Sequence, residues 1–251
     1  MQDKVDASFF YEIIYNLVFF CYNIYGDNMK IGIIAAMEEE IKEILRNNEY
    51  SIIDNINDQN VYSVNKKNEF IIFTTGIGKL NASITTALAI NKYDFDLIIN
   101  IGTAGNLDKL PIGSLVIGNK LAFYDVDATI FGYQYGQIPC EELYEFITND
   151  KHLINELKEK IDDIYMGTIL TGDTFITKEN INKFDIYSFD NPLAIEMESM
   201  AIVRTAHKLN KKIYVFRTIS DDGDNSEFNK YLDSVCLKYN DIFNIIDEYY
   251  S

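Results

Sequence analysis

The stretch Ala194-Ile195-Glu196-Met197-Glu198-Ser199-Met200-Ala201 sets two carboxylates on either side of a thioether within an apolar run. Acids there need a partner or a task. Close behind, Ile213-Tyr214-Val215-Phe216-Arg217-Thr218-Ile219-Ser220-Asp221-Asp222 is a β-branched and aromatic run that breaks off into a cation and two acids. The first reads as strand into helix, the second as strand into loop. A third acidic group, Glu38-Glu39-Glu40, follows the apolar run Lys30-Ile31-Gly32-Ile33-Ile34-Ala35-Ala36 and opens a helix whose inward stripe is Met37, Ile41, Ile44 and Leu45. The helix dipole alone favours acids in a first turn. Glu39 points outward, whereas Glu38 and Glu40 both flank the stripe, and periodicity does not choose between them. Ligands of open α/β sheets collect at the carboxyl ends of strands, so these acids nominate one shared pocket equipped for proton transfer.

The elements that position them belong to a chain of 251 residues, enough for one large α/β domain with a substantial core. A net charge of −17 argues against nucleic acid or an anionic membrane as partner and leaves a neutral or cationic small ligand. Cys21, Cys140 and Cys236 are odd in number and far apart, and His152 and His207 lack partners at ligand spacing. The expectation is a reducing cytoplasmic location without a metal site.

Residues 1–28 differ from the rest. Phe9-Phe10, Ile13-Ile14 and Leu17-Val18-Phe19-Phe20 crowd a segment too short to span a bilayer, interrupted by Glu12 and Asn16 and followed by no small-residue cleavage site. An appended helix, or an extension upstream of a functional start at Met29, fits better than an export signal. Asp54 to Phe70 reads as hairpin edges and Phe70 to Thr75 as a buried strand. Thr75-Gly76-Ile77-Gly78-Lys79 reads as a tight turn rather than a dinucleotide loop, because Asn81 stands where a third glycine belongs. Gly102-Thr103-Ala104-Gly105 reads as another turn, after a strand at Asp96 to Ile101, with backbone N–H groups free for a ligand. The aromatic loop from Tyr124 to Gly136, with Phe131 and Tyr133, is a core flap, a binding lid or a subunit contact. Tyr231 to Tyr250 reads as one terminal helix packing through Leu232, Val235, Phe243 and Ile246. No repeat, low-complexity tract or linker divides residues 29–251.

Seven motifs lie in register with a known family: Gly32 to Glu40, Gly76-Ile77-Gly78-Lys79, Asn100 to Gly105, Phe131-Gly132-Tyr133, Gly172-Asp173-Thr174-Phe175-Ile176, Glu196-Met197-Glu198 and Arg217 to Asp221. From Met29 onward the chain resembles the bacterial 5′-methylthioadenosine/S-adenosylhomocysteine nucleosidases. The resemblance implies a nucleoside phosphorylase-like α/β/α fold of three layers around a mixed twisted sheet. It also implies a homodimer and cofactor-free hydrolysis of the N-glycosidic bond of thioadenosines, with 5′-deoxyadenosine as a further substrate. By the same resemblance Glu40 activates water, Asp221 with Ser220 beside it protonates the purine, and Glu198 with the Met197 backbone holds the ribose hydroxyls. Arg217 and Thr103 border the water and ribose, while Phe175, Ile176, Ala104 and Gly105 surround the adenine. Met37, Ile77, Met197 and Phe228 take the alkylthio group, and Phe131 and Tyr133 reach the neighbouring subunit's pocket. A phosphate-dependent phosphorylase of the same fold, or a non-catalytic nucleoside-binding surface protein, remains an alternative. A phosphorylase needs cations around a phosphate dianion, and of the chain's arginines, Arg46, Arg204 and Arg217, none sits in the early glycine-rich turns.

Overall fold

The computed structural model describes residues 28–223 and 225–251, with the side chains of 225–229 excepted, so the apolar segment 1–27 lies outside it. Strand β1 (Lys30–Ala35) runs between β4 (Glu69–Thr74) and β5 (Leu97–Asn106), parallel to both. Its isoleucines, like the apolar residues opening β5, are buried, as a strand covered on both faces requires. Beyond β4 the sheet continues antiparallel through β3 (Gln59–Asn65) to β2 (Ser51–Ile56). Asn57 and Asp58 join those two strands with φ of 51° and 62°, the left-handed pair that a two-residue hairpin favours.

On its other edge β5 pairs in parallel with β10 (Ile213–Asp221), which pairs antiparallel with β6 (Leu115–Phe123). A two-residue strand, β7 (Glu145–Phe146), edges β6. The path then runs through β8 (Ile164–Thr171) to β9 (Pro192–Glu196), and β9 returns to pair with Gly105 and Asn106 at the far end of β5. The sheet therefore closes on itself. One edge of β5 is lined by β1 as far as Asn100 and by β9 only from Gly105. Between those points the edge is open, and the fork is where the pocket forms.

Helices α1 (Glu38–Asn47), α3 (Lys151–Lys160), α5 (Asn225–Val235) and α6 (Lys238–Tyr249) pack among themselves, while α2 (Lys79–Tyr93) packs on α4 (Ser199–Lys208). Two helical groups around a mixed sheet match the expected three-layer fold. Three local expectations change. Gly102 to Gly105 is not a turn but the continuation of β5, whose backbone is held by β10 along its whole second half. β10 likewise stays a strand through Asp221. The terminal helix is two helices, α5 and α6, interrupted at Cys236 and Leu237. Val235, Phe243 and Ile246 are buried as expected, and Leu232 is partly so.

Candidate active site

Glu40 owes its position to its own helix. It is the third residue of α1, and its carboxylate folds back so that Oε2 accepts the N–H groups of Ala36 (3.0 Å) and Met37 (3.2 Å), donors that a helix start leaves unpaired. The other oxygen, Oε1, accepts the N–H of Thr103 at 2.7 Å and its hydroxyl at 3.0 Å. Thr103 lies in the open fork of β5, so a carboxylate takes the ladder bond that a neighbouring strand would otherwise supply. The dipole explanation for the acidic first turn and the functional one thus converge on the same group. Glu40 is only 2% exposed, whereas Glu38 leaves the cavity to meet the Tyr62 hydroxyl at 3.3 Å. That geometry separates the two acids.

At the end of β9 Glu196 binds the start of α4, accepting the N–H groups of Glu198 (2.9 Å) and Ser199 (2.8 Å) and the Ser199 hydroxyl (3.0 Å). It also accepts the Thr171 hydroxyl and Nη2 of Arg217, the latter at 3.0 Å. Arg217 is 1% exposed, and its Nη2 also donates to Asn100 Oδ1 at 3.0 Å. Burial works against its charge, but Glu196, Glu40 and Glu198 together outweigh that and raise its pKa. The guanidinium lies over Gly102: a Cβ there would fall 2.6 Å from Arg217 Nη1 and 3.1 Å from Glu40 Oε1. Close approach, not turn geometry, is why β5 needs glycine at this position.

Glu198 receives one hydrogen bond from the described residues, from the Gly78 N–H to Oε1 at 2.8 Å. Gly78 has φ of 94°, and this left-handed turn aims its N–H across the cavity. Burial, and next the neighbouring Glu196, push the Glu198 pKa up to about 8. Asp221 ends β10 at 2% exposure, its Oδ2 accepting from the Ser220 hydroxyl and its Oδ1 from the Gly223 N–H, both at 2.8 Å.

These groups surround one cavity of about 270 Å³. Met37 enters from just before α1 and Glu40 from its first turn, Ile77 from the glycine turn, and Thr103, Ala104 and Gly105 from β5. Phe175 and Ile176 come from the loop after β8, Met197 and Glu198 from the start of α4, and Ser220 and Asp221 from β10. Ala36, Thr174, Ile195 and Glu196 also line it and were not among the expected binding residues; for Glu196 the signal is its place as an acid in an apolar run. Arg217 does not line the cavity and sits behind Glu196. Phe131 and Tyr133 lie apart from it, on a loop where Phe131 is 78% exposed. The side chain of Phe228 is outside the described residues. Among the described residues, the lining includes four carboxylates and no lysine or arginine.

A mixed sheet forked at β5, with a nucleoside-sized cavity at the fork, defines the class, and the family model of the phosphorylase superfamily matches residues 30–249. A 5′-methylthioadenosine/S-adenosylhomocysteine nucleosidase of Buchnera aphidicola subsp. Acyrthosiphon pisum is 36% identical over 229 residues, covering 88% of this chain and 98% of its own. The S-adenosylhomocysteine nucleosidase of Streptococcus pyogenes, solved with 5-methylthiotubericidin, superposes with a TM-score of 0.78 at 33% identity over 88% of this chain and 97% of that one. The Colwellia psychrerythraea 34H nucleosidase, solved with adenine, gives a TM-score of 0.80 at 29% identity over 88% and 96%. Within the superfamily, the chain belongs to the 5′-methylthioadenosine/S-adenosylhomocysteine nucleosidases.

Proposed function

We propose that this enzyme hydrolyses the N-glycosidic bond of 5′-methylthioadenosine and S-adenosylhomocysteine, and of 5′-deoxyadenosine, releasing adenine and the 5-substituted ribose. The observation that carries this reading is the placement of Glu40 and Asp221 on one cavity with acids on its walls and no lysine or arginine among the described lining residues. Bond cleavage builds positive charge on the sugar and negative charge on the base. Asp221 delivers a proton to the purine, Glu40 draws one from water across the sugar face, and the second product is a free sugar, as in inverting glycoside hydrolysis. The four donors on Glu40 hold its carboxylate in place for that task. Glu198 meets the ribose hydroxyls, and Phe175, partly exposed at the cavity, stacks on the purine. Met37, Ile77, Met197 and Phe228 receive the alkylthio group.

Arg217 acts on the ribose end through Glu196 and Gly102, which its position behind the wall supports better than direct contact with substrate. A phosphorylase would need cations around a phosphate dianion, and the lining supplies none among the described residues. Adenine release from methylthioadenosine is therefore expected at the same rate with and without phosphate. Strict phosphate dependence would overturn hydrolysis.

We further propose a cytoplasmic homodimer, with residues 29–251 as one catalytic domain and residues 1–28 as an extension. Leu80, Ile84 and Leu88 form an exposed stripe at four-residue spacing along α2, beside exposed Ile77. Exposed Ile130 and Phe131 present a second apolar projection. A partner covering these side chains removes the cost of their hydration and brings Phe131 and Tyr133 to the other subunit's cavity.

A further inference from the structure

Three buried carboxylates, Glu40, Glu196 and Glu198, meet around one guanidinium, that of Arg217. If all three were ionised, the cluster would carry two uncompensated negative charges largely shielded from water, which is costly. One proton reduces the excess to a single charge, and the hydrogen bonds decide where it resides. Donors to a carboxylate favour its ionised form. Glu40 receives four, Glu196 five, and Glu198 only the Gly78 N–H among the described residues.

We infer that Glu198 is a neutral carboxylic acid in the free site and releases its proton to solvent when a ligand places a positive charge on the sugar. The ligand's charge then stands in for the proton's, and the net charge of the occupied cluster is unchanged. This rests on the nucleosidase reading, in which cationic character develops on the ribose held by Glu198. The charged groups facing Glu198 are Glu196 from β9, Glu40 from α1 and Arg217 from β10, and Asp221 of β10 lines the same cavity. The glycine turn offers it a backbone N–H, since the Lys79 ammonium is engaged by Asp125. The upward pKa shift of Glu198 from burial and Glu196 agrees with the donor count. The consequence is selectivity: the pocket is set for a neutral nucleoside at low pH and increasingly for a ribosyl cation as pH rises.

Titration calorimetry with two matched probes tests this. Both carry 7-deazaadenine and a methylthio group, one on ribose and one on a pyrrolidine whose ring nitrogen stays protonated up to pH 9. Each is titrated into the full-length wild-type protein between pH 6 and 9, in buffers of different ionisation enthalpy. The cationic probe is expected to release about one proton near pH 7 and to gain about tenfold in affinity per pH unit up to about pH 8, then level off. The neutral probe should release none. In Glu198→Gln the extra proton release should vanish; if that variant does not fold, the wild-type buffer series alone decides. Equal proton counts for the two probes, or release that persists in Glu198→Gln, would overturn the inference. Binding by neither probe would overturn the nucleoside-binding reading and this inference with it, an outcome distinct from binding without proton release.

Discussion

At Glu40 the helix-capping carboxylate and the proposed catalytic base are the same group. Glu40→Gln keeps an acceptor oxygen for Thr103 but cannot take a proton from water, so kcat should fall by about 10² to 10⁴-fold with adenine binding largely kept. Unchanged turnover of the purified variant would remove the assignment. Asp221→Asn should cost about as much, with near-normal rates sinking it in turn. Glu198 also makes a prediction about stability. Its folded pKa is raised from 4.5 to about 8, so its contribution is fully present below 4.5 and is lost as pH rises through about 8. Glu198→Gln should therefore melt higher than wild type above pH 8, by a margin that shrinks toward pH 4.5. A margin that is flat with pH in a thermal-melt series would contradict this.

Among the elements, Lys79 links three loops around the cavity. Its ammonium donates to both Asp125 oxygens at 2.8 Å, its N–H reaches Asp173 Oδ1 at 2.9 Å, and the Asp173 N–H reaches Asp125 Oδ2 at 2.8 Å. The glycine turn, the loop after β6 and the loop carrying Phe175 are thereby held together. Because the Lys79 and Asp125 side chains are largely shielded from water, the pair should be worth more than a typical exposed one. Lys79→Met is expected to raise KM by about three- to tenfold with a smaller change in kcat, since the purine wall loosens while Glu40 and Asp221 keep their own partners. Steady-state kinetics showing a fall in kcat alone would refute that role. Gly102 joins two further elements, β5 and β10. Gly102→Ala must displace the Arg217 guanidinium, and a loss of about 1–3 kcal/mol in unfolding free energy is expected by denaturant titration.

For the molecule as a whole, the exposed stripe on α2 makes assembly testable without touching the cavity. Light scattering is expected to give twice the chain mass for wild type. Leu80→Glu, at a position 72% exposed, should shift the population toward monomer and raise KM as Phe131 and Tyr133 are withdrawn from the neighbouring pocket. A monomeric wild type with full activity would remove the dimer from the functional account.

Alternation and helical spacing made the strands and most helices legible, because burial of one face or both leaves a local pattern that residues a few places apart carry together. The cavity acids were visible for a related reason: a carboxylate in an apolar run is conspicuous wherever it lies. Sequence could not tell Glu38 from Glu40, since both flank the same stripe, and could not see that Gly102 to Gly105 continues a strand. Those outcomes depend on contacts between residues far apart in the chain: β10 along one edge of β5, the missing strand along the other, and Thr103 offering its N–H to a helix 63 positions earlier. Residue type and local period determined which groups could act; the closure of the sheet decided which of them meet, because hydrogen-bond partners and desolvation are properties of the packed fold and not of neighbours in the chain.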